Sequence, residues 1–529
     1  MGLNIGRMVE VVGAAVPDRE AIVQGERRFT YAETIDRCRR LAAVLTAAGL
    51  TAHGDPATDE PSATSQDLVL LLMTNCPEYL EGMIGGYLAR VGPANVNYRY
   101  TPAEVDYLVR DSGARAAIVH RRYLPLLPPL DLVLVVNDGS HEASLPIGAI
   151  DYEDALAAAD PSTLATEPSP DDLYIVYTGG TTGRPKGVLW RQTDFLAGAL
   201  GITATYDELA TAAVASRPER LRALAAPPLM HGAAHWNAIS CLSGGGTVVL
   251  QPSSDRLDAE AVLDTIERER CTSLNMVGDA FARPVLEADA AHPRDLSSLR
   301  FVISGGAVLS EPIKQRLTER VPGLRIVDIV GSSESGRQGM SQGTSTGTFD
   351  ASPSGVVLDE TRTRVLDRDD TTVGWLAAAG PIPRGYLGDP EKTAATFPVV
   401  DGVRYVVAGD RARRTEAGGI ELLGRESQTI NTGGEKVFAE EVEELVRRHP
   451  GVLDAAVTGR PSEQWGQEVV AVVALRPGHE GLTDDELRDA TAAEGLARYK
   501  LPKAWIRVDH VQRTPSGKTD YAWAKAQVS

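Results

Sequence analysis

Two kinds of hydrophobic spacing alternate along this chain. Short unbroken apolar runs, as at Val69–Leu72, Leu173–Tyr177 and Thr247–Leu250, predict buried strands. Between such runs, apolar residues recur at helical spacing. Thr34–Leu50 places Leu41, Val44 and Leu45 on one face, and Tyr79–Ala89 and Ala259–Glu269 also read as helices. Ala21-Ile22-Val23 and Arg28-Phe29-Thr30 predict a small hairpin. Leu299–Ser304 and Leu324–Val330 are further strands, ending in Gly305-Gly306 and Gly331. Such alternation predicts parallel βα units. Polar stretches at 51–66 and 341–356 predict loops, and the proline-rich 160–170 a connector.

The pattern shifts near Gly424-Arg425. Beyond it come a helix over Ala439–Arg448, a stop at His449-Pro450-Gly451, a strand near Ala455 and a strand over Val469–Leu475. Thr483 with Glu486 predicts a capping box for a second helix, and Trp505–Val508 a last strand. The expected fold class is therefore α/β. It has a large N-terminal domain of βα-layered subdomains over 1–424 and a small α+β C-terminal domain over 425–529.

Composition narrows the function. With 529 residues, 43% hydrophobic and 24% charged, the chain has room for several subdomains with globular content. A net charge of −19 argues against nonspecific nucleic-acid binding and against docking on anionic membranes, while leaving room for local anion sites. Cys38, Cys76, Cys241 and Cys271 are too scattered for a zinc site or a disulfide framework, and predict buried thiols in a reducing compartment. The apolar run 124–136 is broken by Pro125, Pro128, Pro129 and Asp131, and no other run suits a membrane span. No leader pattern opens the chain, so a soluble cytoplasmic protein is expected.

One loop carries chemistry of its own. Tyr177-Thr178-Gly179-Gly180-Thr181-Thr182-Gly183-Arg184-Pro185-Lys186-Gly187 follows a strand. Its glycines let backbone amides face a ligand, and consecutive amides form an anion-binding concavity. Threonine hydroxyls and Lys186 add donors and charge. The pattern suits phosphates, although Pro185 and Gly187 flank the lysine where the common P-loop needs Gly-Lys-Ser/Thr. The alternative is a plain strand-to-helix turn.

Further groups lie downstream. Gly331-Ser332-Ser333-Glu334-Ser335-Gly336 offers oxygen ligands suited to Mg2+, or an ordinary serine turn. Asp410, after Gly409, is a ribose partner or a solvated strand-end charge. Arg425 can bind a phosphate in bidentate fashion, and Gly433-Gly434-Glu435-Lys436 marks a hinge or a close backbone approach. Lys518, after Pro515-Ser516-Gly517, gains meaning only beside these groups. His231 and His235 stand four apart without a third ligand nearby, which favours a packed or substrate-lining role over a metal site.

In this order the motifs resemble those of the adenylate-forming superfamily, which includes acyl-CoA synthetases, peptide-synthetase adenylation domains and luciferases. The resemblance covers nearly the whole chain. Asn95 to Tyr98, Gly331 to Glu334, Asn431 to Lys436 and Tyr521 to Lys525 are most similar to bacterial long-chain and steroid side-chain acyl-CoA synthetases. It implies an acid–CoA ligase. ATP would convert a carboxylic acid to an acyl-adenylate with pyrophosphate release, and the CoA thiol would then displace AMP. Two alternatives stay open: an adenylating enzyme with a non-CoA acceptor, forming an amide or an N–N bond from a small acid such as nitrite, and a non-catalytic nucleotide-binding regulator. The implied cofactors are ATP and Mg2+, with CoA as co-substrate, and a homodimer is compatible with the resemblance.

The same resemblance assigns residues. Thr178, Gly179, Gly180, Thr181, Thr182, Gly183 and Lys186 would hold the β- and γ-phosphates, with Thr178 and Glu334 near Mg2+. Gly305, Gly306, Gly331, Ser332 and Ser333 would border the adenine and α-phosphate, and Asp410 and Arg425 would hold the ribose. Lys518 would bridge the attacking carboxylate and the α-phosphate. The small domain would be mobile, turning about Ser427 within 425–428 and bringing Gly433, Gly434, Glu435 and Lys436 to the thioester side. His231, His235, Trp236, Asn237 and Arg337 would line the acid pocket.

This chain also departs from the family. Ser427 stands where Asp or Lys is usual, Gln428 replaces a frequent Asp, and Val330 replaces an aromatic that stacks on adenine. Arg337 stands where fatty and steroid enzymes tend to be apolar. A buried arginine without an anion is costly, so Arg337 implies a polar, aromatic or anionic acid, or pairing with a protein carboxylate.

Overall fold

Helix starts follow local side-chain chemistry. In the computed structural model, Thr30 opens the helix Tyr31–Ala47 with a capping box. Its hydroxyl accepts from the Glu33 amide, and the Glu33 carboxylate accepts from the Thr30 amide. Thr101 with Glu104, Thr205 with Glu208 and Thr483 with Glu486 repeat the device, the last as expected. The structure describes residues 2–528 except 141–143, 166, 179–183, 218–220, 253–255, 308, 343–347, 352–354, 417–418, 426–427, 433–434, 463–464, 495, 497 and 515–516. The side chains of 342, 348–351, 425, 431, 435, 436 and 466 are likewise outside the description.

The chain packs as two units. One comprises residues 1–344, 379–398 and 404–406; the other comprises 345–378, 399–403 and 407–529. Residue 425 lies within the second.

In the first unit, strands run in the order Arg27–Thr30, Glu20–Gln24, Thr247–Leu250, Arg222–Ala225, Ser273–Met276, Phe301–Gly305, Arg325–Ser332 and Gly336–Gln342. All are parallel except the outer two, each joined to its neighbour as an antiparallel pair. Helices Ala259–Glu269, Gly278–Ala291 and Glu311–Arg320 bury Val262, Ile266, Leu286 and Ile313 with Leu274, Val302 and Ile326 of these strands. A second, parallel sheet runs Gly92–Asn95, Leu68–Leu72, Ala116–His120, Leu132–Val136 and Ala149–Asp151. A third, antiparallel, holds Gly385–Tyr386, Lys186–Arg191 and Leu173–Thr178.

The strand Thr247–Leu250 and the helix Ala259–Glu269 have the predicted bounds. One expectation is corrected. Within the Gly/Ser/Thr-rich 341–356, Thr348–Ala351 is a strand, because Ile420–Arg425 supplies an antiparallel partner that composition does not reveal. In the second unit, Gly466–Leu475 pairs antiparallel with Val452–Ser462 and parallel with Ala504–Val508 in one sheet. Val442 and Val446 of the helix Ala439–Arg447 pack there against Val457, Val469 and Trp505. Among the described residues, no helix is long and apolar enough to cross a membrane.

Candidate active site

The flanks of the Gly/Thr-rich loop are fixed by a hairpin. Leu173–Thr178 and Lys186–Arg191 pair antiparallel, with Thr178 opposite Lys186. Gly179, Gly180, Thr181, Thr182 and Gly183 lie outside the described residues. The preceding residue is held by a side chain from another sheet. Asn95 Oδ1 accepts from the Tyr177 amide at 2.7 Å, and its Nδ2 donates to the Tyr177 carbonyl at 2.9 Å and the Met230 carbonyl at 2.8 Å. Asn95 is buried, and its amide imitates one rung of a β-ladder. Asn75 does similar work on the next segment, accepting from the Leu229 amide and donating to the Pro227 carbonyl.

Two adjacent strand ends present the next groups. Gly305 ends one strand and pairs with Ile329 of its neighbour, which continues into Gly331 and Ser332. Carboxyl ends of parallel strands are where open α/β sheets bind ligands. Gly306 follows at a φ of 86°. Gly331 must be glycine, since a Cβ there would lie 2.0 Å from the Gly336 carbonyl oxygen. The Ser332 and Ser335 hydroxyls engage each other's backbone amides, and Trp190 Nε1 donates to the Ser333 carbonyl at 2.9 Å. Trp190 thereby joins this turn to the strand that begins at Lys186.

The charges of these two stretches meet at residues the sequence reading missed. The Tyr386 hydroxyl donates to Glu334 Oε1 at 3.2 Å, and Lys186 Nζ lies 5.7 Å from the centre of the Tyr386 ring. Lys186 is also paired with Asp389 at 2.5 Å, which lowers the aspartate's pKa. Burial raises the Tyr386 phenol well above its ordinary range, so it stays a donor. The motif Gly385-Tyr386…Asp389-Pro390 carried one signal, an Asp–Pro helix start, but nothing local ties it to Lys186.

Behind the expected acid side stands an aromatic group. Tyr174 stacks on Phe195 with centroids 3.8 Å apart, and Trp236 meets Phe195 edge-on at 5.5 Å. Trp236 Nε1 donates to the Tyr174 hydroxyl, which donates to His235 Nε2, and His235 Nδ1 donates to the Leu229 carbonyl. His235 is thus buried with both ring nitrogens used inside the protein, and burial lowers its pKa to about 4. His231 is the N-cap residue of the helix Gly232–Ser243, so the two histidines do not share a helix face. Half-buried Asn237 has its Oδ1 buried without a hydrogen-bond partner among the described residues. The guanidinium of Arg337, also half-buried, has no hydrogen bond or ion pair among the described residues. Its guanidinium lies where a Cβ on Gly201 would be, 2.4 Å away.

The remaining expected residues belong to the second unit. Asp410 is buried and stands directly opposite Arg425 in an antiparallel ladder. Lys518 is exposed on a loop closed by Thr514, whose amide donates to the Lys518 carbonyl at 2.7 Å. The Arg425 side chain, Ser427, Gly433, Gly434 and the side chains of Glu435 and Lys436 lie outside the description.

Residues 9–387 match the family described as AMP-binding enzyme, and 441–518 match the AMP-binding enzyme C-terminal domain. The chain belongs to the AMP-binding enzyme family. Within it, this enzyme is 46% identical to the medium-chain acyl-CoA ligase Mig of Mycobacterium avium, over 99% of this chain and 98% of that one. It is 39% identical to a 3-oxocholest-4-en-26-oate–CoA ligase of Rhodococcus rhodochrous, over 100% and 96%. Its fold is similar to a crystal structure of the anthranilate CoA ligase AuaEII with anthranoyl-AMP, with a TM-score of 0.82 and 21% identity, covering 100% and 98%.

This AMP-binding enzyme is an AMP-forming acid–CoA ligase of mixed α/β fold, with a large N-terminal and a small C-terminal domain. It uses ATP, Mg2+ and CoA, and the non-CoA alternative is not favoured. Glu334 and Thr178 offer the hard oxygen donors that Mg2+ takes. Among the described residues no cluster of three or more His, Cys, Asp or Glu is grouped as a metal site.

Proposed function

We propose that the enzyme activates a medium-chain carboxylic acid at a site built from Thr178, Lys186, Glu334 and Tyr386, with Lys518 as the lysine of the adenylation step. The observation that carries the nucleotide side is the convergence of Glu334 and Lys186 on Tyr386. In this reading Lys186 binds the triphosphate, and Glu334 with Thr178 holds Mg2+, which neutralises phosphate charge. Asp410 and Arg425 hold the ribose, and Lys518 draws together the carboxylate and the α-phosphate. The chemistry is positioning plus charge stabilisation. A cytoplasmic location goes with this reading. So does a small domain beginning at 425 and turning near Ser427, with Gly433 to Lys436 moving toward the CoA side.

The acid class rests on the full-length likeness to the medium-chain ligase. A second reading is favoured by Arg337, whose guanidinium has no protein anion among the described residues. It would accept a polar or anionic group at the far end of the acid. One assay separates the two: AMP release with and without CoA, with mass spectrometry of the product, on octanoate, suberate, palmitate and a steroid acid. Octanoyl-CoA as the preferred product supports the first reading, and suberyl-CoA the second. Preference for palmitate or the steroid acid refutes both. Lys518→Ala should lower ATP–pyrophosphate exchange by at least ~10²–10³-fold without unfolding the chain; near-normal exchange would remove that lysine from the scheme.

A further inference from the structure

The ion pair between Lys186 and Asp389 has a geometry that bears on nucleotide affinity. The two are held together by backbone. Gly385–Tyr386 is laddered to the strand Lys186–Arg191, with Tyr386 opposite Val188. The Leu387 amide donates to the Gly187 carbonyl at 2.8 Å, next to Lys186 itself. Asp389 cannot follow a moving lysine, because its Oδ1 caps the helix Pro390–Thr396 by accepting from the Lys392 amide at 2.9 Å. Its Oδ2 takes the ammonium. Neither partner is sealed off, with 38% of the lysine and 32% of the aspartate side chain exposed, so a solvent-borne anion can reach the pair.

We infer that Asp389 is a positioning residue that competes with the triphosphate for Lys186. This rests on the reading that Lys186 binds phosphate. A phosphate oxygen that took the ammonium would be brought close to a fixed carboxylate of like charge. Asp389 therefore weakens the hold on ATP, and it reclaims Lys186 as pyrophosphate leaves. Lysine suits such an exchange, being a point charge with three rotatable donors on a flexible stem.

The test is Asp389→Asn, which keeps the helix cap and removes the charge. KM for ATP should fall about two- to fivefold at low ionic strength, the range expected for releasing a half-exposed ion pair. Inhibition by pyrophosphate should tighten by a similar factor. In the Lys186→Met background the same substitution should have no such effect. An unchanged or raised KM in Asp389→Asn overturns the inference, as does tightening that persists without the lysine. A thermal melt matching the parent excludes a folding defect; should Asp389→Asn melt early, Asp389→Ser, which also caps, carries the same comparison. If Lys186→Met alone leaves KM for ATP unchanged, the underlying reading fails; if it raises KM while Asp389→Asn does nothing, only the competition fails.

Discussion

Asn95 is the buried side chain that holds Tyr177, at the entry to the Gly/Thr-rich loop. Asn95→Ala removes three hydrogen bonds, two donated and one accepted. At a net value of ~1 kcal/mol each, the loss is about 3 kcal/mol, more if a carbonyl is left dry. The functional loss should be larger in proportion. Tyr177 immediately precedes Thr178, and a loop displaced by ~1 Å can cost about 10²-fold in turnover. Asn95→Asp sharpens the test. It keeps the accepting oxygen but turns the donor into an oxygen facing the carbonyls of Tyr177 and Met230. Burial and those carbonyls raise its folded pKa above the usual ~3.9. The unfolded chain then releases its proton first as pH rises. The deficit of Asn95→Asp against the parent should be smallest in acid, grow from about pH 4 upward, and be full at neutral pH. Urea unfolding across pH, with ATP–pyrophosphate exchange on the same samples, measures both. Asn95→Ala within ~0.5 kcal/mol of the parent, with unchanged exchange, would refute the reasoning.

Tyr386→Phe removes the donor to Glu334, and adenylation kcat/KM should fall about tenfold, the low end for a hydrogen bond to a charged group, while the melting temperature stays nearly constant. Gly331→Ala should reduce exchange by more than ~10²-fold, because its Cβ would force the Gly331–Gly336 approach apart; parent-like exchange would show that the turn yields. His120 and His235 are buried, and burial lowers both pKa values to about 4. Their unfolded forms protonate below ~6.5, so stability is full above that pH and falls by roughly 2 kcal/mol per histidine by pH 5; His120→Asn should flatten the acid limb of a stability–pH curve.

What was legible in the sequence was local. The run Thr247–Leu250 and the stripe of Ala259–Glu269 carry their own periodicity, and both have the bounds it predicts. Tyr386 and Asp389 were not legible. Some two hundred residues separate them from Lys186, and only the pairing of Tyr386 with Val188 brings them there. Asn95 was legible only as part of a stretch similar to acyl-CoA synthetases, not as a buried anchor. A polar residue ending a short apolar strand reads as the point where the chain reaches water, yet here it is buried and bonded. Thr348–Ala351 was read as loop because Gly, Ser and Thr dominate its neighbourhood, and strand character came from the distant Ile420–Arg425.

The two halves of the chemistry differ in what fixes them. On the proposed nucleotide side, Lys186 and Tyr386 are set by backbone ladders and Glu334 by the turn that joins two ladder strands; such ladders tolerate many side chains but not a change of register. The hairpin at Thr178–Lys186 and the turn at Gly331–Gly336 hold whatever acid is used. On the acid side, position depends on which side chain leaves room for which. Arg337 occupies space that exists because residue 201 is glycine, held at a φ of 71° where other residues are strained. A methyl at 201 would displace the guanidinium; a smaller residue at 337 would relieve that clash, but the positive φ would still favour glycine. If Arg337 lines the acid pocket as proposed, the acid preference depends on position 337 and on the glycine that leaves it room. Arg337→Ala alone should then change the acid preference with less loss of stability than Gly201→Ala, which stays strained with or without the arginine.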